Sequence, residues 1–197
     1  AALAAFLFLA PYLPPFGAAY RYDPFQLVAV AYLAAGAAAG RLGAWLDAAP
    51  RASQSDLDRL RGLLGRLLAP GDDRIHEDPS STPTAAEAFA RRRADCVGFA
   101  LLFVALARTD GVDARFALSP AIERTDQAGN LRIQRTHVAA TFDGRIFDFG
   151  GEQPFDTGGH REVSDRTAIA LYFSNRGAQS LAAQRATDAV ELLYRAL

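Results

Sequence analysis

Cys96 is the only cysteine in the chain, and it stands directly after Asp95 at the head of an apolar run from Val97 to Ala107. A thiol attacks carbon as thiolate, and that anion is favoured at a helix N-terminus and beside an imidazolium. Two further residues have the types this chemistry needs: His137, 41 residues downstream, and Asp148, another 11 beyond it. An imidazole can take the thiol proton and return it to a leaving amine, while a carboxylate holds the ring in the right tautomer. The Cys96 backbone N–H, at a helix start, can serve as one of the two donors that a developing oxyanion requires, and no second donor stands out. Each residue also has an ordinary reading. A lone cysteine is commonly a small buried hydrophobe, a strand histidine a satisfied core or surface group, and an aspartate after a hairpin merely solvated. What favours chemistry is the conjunction of helix start, strand and shared face.

The elements that must position these residues are readable in turn. After a linker from Pro50 to Ser55, Asp56 can cap a helix in which Leu57, Leu60, Leu63, Leu64, Leu67 and Leu68 recur at helical spacing. A polar loop from Gly71 to Pro83 holds His76, and Thr84 with Glu87 then forms a capping box for a short helix to about Arg92. The next helix begins at Asp95 or Cys96 and runs to Arg108, with Gly111 as a stop signal. It is apolar on every side, so it belongs in the middle of a domain, covered all round. Val112, Ala114, Phe116 and Leu118 alternate with polar residues as a strand does, Asp126 to Asn130 reads as a turn, and further strands follow from Leu131.

The segment from Thr136 to Phe149 reads as a hairpin whose two-residue turn is Asp143-Gly144. Phe142 then opposes Arg145, and Asp148 opposes Ala139. Residues two apart on a strand share a face, so His137 joins Ala139 and Asp148, one diagonal step away at about 7–8 Å between backbones. Val138, Ala140, Phe142, Phe147 and Phe149 take the other face, which is core.

Residues Thr84 to Arg108, containing the Ala-Asp-Cys96-Val-Gly-Phe-Ala sequence, and Gly111 to Arg115 after them resemble the core of bacterial transglutaminase-like proteins. His137-Val-Ala-Ala and Gly144-Arg-Ile-Phe-Asp148 are similar to that superfamily's histidine and aspartate blocks, in the same order. The resemblance covers about residues 80–150. It implies an α+β fold of the papain/transglutaminase type, with a cysteine helix packed on an antiparallel sheet, and a Cys96-His137-Asp148 triad. It also implies acyl chemistry on amide bonds of a protein or peptide, by hydrolysis or by transfer to an amine. Ala94 stands where the family often has Gly, and no aromatic matches the oxyanion-hole tryptophan of animal transglutaminases. The competing function is a non-catalytic scaffold that binds peptide. A thiol-reactivity profile against pH, with and without His137, separates the two.

Composition narrows the remaining choices. With a net charge of -1 and scattered basic residues, no face suggests nucleic acid as a partner. One cysteine allows no internal disulfide, no Cys/His cluster has zinc-site spacing, and the triad chemistry calls for no cofactor. Residues 1–50 hold only Arg21, Asp23, Arg41 and Asp47 as charged side chains. This front reads either as a membrane-associated or signal-derived segment or as a buried helical subdomain, because Pro11, Pro14, Pro15 and the many Ala and Gly weaken a spanning helix. Trp45 within it reads as packing. The lack of Met and the start at Ala1 suggest a processed or excised fragment. The bacterial cell envelope or periplasm is favoured slightly over the cytoplasm.

At the other end, Ser164 can cap a helix from Asp165 to about Ala183, and Ala186 to Leu197 makes a second. Gly177, Ala189 and Ala196 fall at the small-residue positions of a tetratricopeptide repeat, which the pair resembles. A plain helical hairpin closing the domain fits as well. Three regions result: a hydrophobic Ala-rich front over 1–55, a catalytic core over 56–162, and a helical hairpin over 163–197 able to hold a protein partner. His76 and His160 fall in polar loops and read as solvated.

Overall fold

Ser55 opens the first helix, α1 (Asp56–Leu68), by accepting a hydrogen bond from the Asp58 backbone N–H, so the cap lies one residue before Asp56. Asp56 instead fills the first turn with Asp58, where negative charge suits the helix N-terminus. Leu60, Leu63, Leu64 and Leu67 bury the inner stripe. The structure, a computed structural model, describes residues 55–128, 131–156 and 159–197, and for 120–128 and 131–135 the backbone alone. The hydrophobic front, its membrane association and Trp45 lie outside the described residues.

The strand β1 (His76–Glu77) and the strand β2 (Arg93–Ala94) form a two-residue parallel pair, with α2 (Ala85–Arg91) between them. His76 is thus paired to Arg93 rather than sitting in a loop, while its side chain is exposed. Thr84 and Glu87 cap α2 reciprocally, and Arg92 ends it in the left-handed region at φ 56°.

That turn feeds α3 (Cys96–Thr109), whose N-cap is Asp95. Its residues from Val97 to Ala107 are buried apart from Leu101, which is half-buried against the core. A helix with no polar face is stable only if covered on all sides, and here α1 and α2 cover part of it and a sheet another part.

The sheet has five strands: β3 (Arg115–Ala128), β4 (Leu131–Phe142), β5 (Arg145–Asp148), β6 (Gly151–Pro154) and β7 (Arg161–Val163). Their spatial order is β6-β5-β4-β3-β7, and every pairing is antiparallel. β3 begins later than the alternation from Val112 suggests. Val112 and Ala114 are buried, but the Val112 N–H donates to Ala107 O and the Ala114 N–H to Val112 O, so both serve the turn out of α3. At its far end β3 keeps pairing as far as Ala128 with Leu131, inside the stretch expected to be a turn.

Between β4 and β5 the register is Phe142 with Arg145, Thr141 with Ile146 and Ala140 with Phe147. Asp143 and Gly144 both have positive φ, 46° and 68°, the geometry of a two-residue hairpin matched to strand twist. Val138, Ala140 and Phe147 join the main core with α3. Ala139 and Ile146 form a second small cluster with Ala117, and Phe155 packs against it.

The chain closes with α4 (Asp165–Ala182), capped by Ser164, and α5 (Ala186–Arg195). Ala168 of α4 is part of the main core, with Leu171 and Tyr172 packed against it. Arg108, near the end of α3, grips Asp165 with two bonds of 2.6 and 2.9 Å and donates to Ala114 O at 2.9 Å. The fold is therefore α+β, a helix-centred core backed by an antiparallel sheet. Among the described residues, no helix is long and apolar enough to cross a membrane.

Candidate active site

Cys96 is the first residue of α3, so its backbone N–H has no partner within the helix and is free to serve something outside it. The Asp95 carboxylate caps the helix through Gly98, whose N–H donates to Oδ1 at 2.8 Å, and the Phe99 N–H donates to Asp95 O at 2.9 Å. Cys96 as a residue is half-buried. Gly98 is required by closeness: a Cβ there would stand 2.7 Å from Pro83 Cδ and 2.8 Å from its Cγ. A larger residue would push the first turn of α3 off its seat.

His137 comes from β4 and Asp148 from the end of β5, and the two meet. Nε2 of the ring lies 2.7 Å from Asp148 Oδ2. The other carboxylate oxygen accepts from the Gly150 N–H at 2.7 Å, with the Gln153 side chain at 3.5 Å. Asp148 is 7% exposed, so this bonding is what makes a carboxylate tolerable there. The residues on either side of it fix β5 to α3: Phe147 stacks on Phe103 at 5.2 Å between centroids, and Phe149 packs tilted against Phe99 at 4.3 Å. The aspartate is thus held in register with the helix that carries Cys96.

Two polar neighbours act on the His137 ring, Asp148 first and Cys96 second, and against the opposing effect of burial they raise its pKa from 6.5 to about 9. The ring therefore carries a proton at neutral pH. With Nε2 committed to Asp148, Nδ1 is the nitrogen left for the thiol. The structure thus brings all three sequence-predicted residues together, each from a different element.

The sequence does not announce the polar cluster beneath the cap. Asp95 Oδ2 accepts from the Thr82 hydroxyl and, at 3.4 Å, from the Asn175 amide of α4. Thr82 is in turn held by Gln179, which donates to its hydroxyl at 3.1 Å and accepts its backbone N–H at 3.3 Å. The available signal is faint: Asn175 and Gln179 are one turn apart, on the side of α4 that also buries Ala168.

The remaining histidines lie elsewhere. His76 is in β1, and the His160 ring sits 5.5 Å from Phe155, with Nδ1 accepting the Asp156 N–H at 3.2 Å. Among the described residues no group of three or more His, Cys, Asp or Glu side chains is arranged to hold a metal ion.

Residues 70–145 match the family model of the transglutaminase-like superfamily. The matched span contains Cys96 and His137 and stops just short of Asp148. No curated protein and no solved structure matches the chain.

Proposed function

We propose that the chain is a cysteine acyl enzyme that cleaves or transfers the acyl part of amide bonds in a protein or peptide. The observation that carries this reading is the placement of the His137 ring, bonded through Nε2 to Asp148 Oδ2 at 2.7 Å and with the Cys96 thiol as its other polar neighbour. The attacking species is the Cys96 thiolate, its proton held on His137 Nδ1. The thiolate adds to the amide carbonyl carbon, forming the S–C bond and moving the carbonyl electron pair onto oxygen. On this reading the Cys96 N–H, at the helix start, donates to that oxyanion.

Collapse of the adduct re-forms the carbonyl and breaks the C–N bond, and His137 Nδ1 gives its proton to the leaving amine. Water or a second amine then attacks the thioester and loses its proton to Nδ1, and the thiolate leaves. Asp148 holds the ring through Nε2 throughout, so the nitrogen facing Cys96 is always the one that exchanges the proton.

The test is the pH profile of Cys96 alkylation by iodoacetamide. The reading expects reaction well below about pH 8, and a His137→Ala variant whose profile is displaced toward that of a free thiol. A native chain that reacts only above that range, with a curve His137→Ala does not move, ends it.

A second reading, a peptide-binding scaffold with an idle triad, is favoured by one feature. Leu171, Leu193 and Tyr194 line an apolar groove along the α4–α5 hairpin, where Val190 and Tyr194 are 68% and 78% exposed. On that reading the hairpin holds the partner and Cys96 behaves as an ordinary thiol.

A further inference from the structure

We propose that Thr82, with Asn175 and Gln179 of α4, positions Cys96 by fixing the Asp95 cap, so that α4 sets the nucleophile rather than merely flanking it. The inference rests on the acyl-enzyme reading above. Asp95 is only 5% exposed and Thr82 only 1%. A carboxylate buried to that extent needs full hydrogen bonding, and its donors come from two directions. The α3 backbone supplies Gly98 N–H to Oδ1, while Thr82 and α4 supply the hydroxyl and the Asn175 amide to Oδ2.

Gln179 makes the second half of the arrangement directional. Its amide both donates to and accepts from Thr82, so the hydroxyl proton is left to point at Asp95. The consequence concerns the first turn of α3. An Asp95 carboxylate freed at Oδ2 can turn from Gly98 onto the Val97 N–H, which a thiolate on Cys96 would otherwise use, and the first turn that carries Cys96 shifts with it. Holding it on Gly98 leaves the Val97 N–H for the reaction and keeps the turn in place. The bonds join residues 97 positions apart for Thr82 and Gln179 and 80 apart for Asp95 and Asn175, which ties the tail to the cysteine turn without any contact to substrate.

The experiment compares Cys96 alkylation by iodoacetamide across pH in the full chain and in Thr82→Val, Thr82→Ser, Gln179→Leu and Asn175→Ala. Thr82→Val and Gln179→Leu should lower the rate near pH 6 by about tenfold or more and leave the rate near pH 9 almost unchanged, displacing the profile upward. Thr82→Ser keeps the hydroxyl and should keep the native profile. Asn175→Ala, whose bond is longer, should shift it in the same direction by less, and as a half-buried site it carries the test if Thr82→Val does not fold. Unmoved profiles, or a rate lowered equally at every pH as a merely structural defect would do, overturn the inference. A native chain reacting only as a free thiol instead overturns the acyl-enzyme reading itself.

Discussion

His137 donates to Asp148 Oδ2 from Nε2 at 2.7 Å, while Asp148 Oδ1 is fastened to the Gly150 N–H at the same distance. A carboxylate held at both oxygens cannot rotate, so it dictates both the orientation of the ring and which nitrogen faces Cys96. The hydrogen bond to Asp148 is also the largest single cause that raises the ring's pKa to about 9, ahead of the one to Cys96. Asp148→Asn should therefore lower the His137 midpoint further than Cys96→Ala does. The chain has three histidines, so an NMR titration of labelled imidazoles resolves the order directly. The reverse order would mean that the thiol, not the carboxylate, governs the ring. On an activated acyl substrate, Asp148→Asn should cost a factor on the order of 10³, because the amide stabilises the wrong tautomer.

The same shift couples folding to pH. The folded ring titrates at about 9 and the unfolded one at 6.5, so the native state binds the proton more tightly. That contribution is complete below the unfolded value, fades as pH climbs between the two, and is gone above the folded one. Allowing for solvent screening of a part-exposed ring, it amounts to about 1–3 kcal/mol. Urea unfolding at the two ends of the window should show the loss, and His137→Gln should remove the difference between them.

Much of this arrangement can be read from local chemistry. The Asp143-Gly144 turn dictates the register of β4 on β5, and strand parity then puts His137 and Asp148 on one side of the hairpin. Thr84 with Glu87 and Ser164 announce their helices because a cap involves neighbours in sequence. Where two cap residues are adjacent, as at Ser55 and Asp56, composition does not rank them, and the backbone chooses Ser55. Val112 and Ala114 alternate like a strand because a buried turn also needs apolar side chains facing inward. The cluster of Thr82, Asp95, Asn175 and Gln179 is the least legible part. A hydroxyl meeting an amide 97 residues away leaves no periodic trace in the chain.

Gly98 offers a test of how tightly the cysteine turn is seated. In Gly98→Ala the new Cβ would meet Pro83 Cδ at 2.7 Å, its Cγ at 2.8 Å and its carbonyl oxygen at 3.1 Å. A proline ring has little freedom to yield, so α3 or the loop before α2 must move. The expected cost is about 1–3 kcal/mol, despite the better helix propensity of alanine. Thermal unfolding reads that loss, and a variant as stable as the native chain would show that the contact relaxes freely.

Phe149 tests whether the sheet, and not the helix alone, holds the site together. Its ring lies 4.3 Å from Phe99 of α3, and it follows Asp148 directly in sequence. Phe149→Leu keeps most of the apolar volume and loses the aromatic pairing, about 1 kcal/mol, so the domain should stay folded. The end of β5 would be less firmly tied to α3, and the His137–Asp148 bond should loosen with it. The expected signature is a lower His137 midpoint by NMR, with stability only slightly reduced. If the midpoint stays where it is in the native chain, the Asp148 position is set by Gly150 and the β5 hydrogen bonds alone, and the aromatic pair serves packing only.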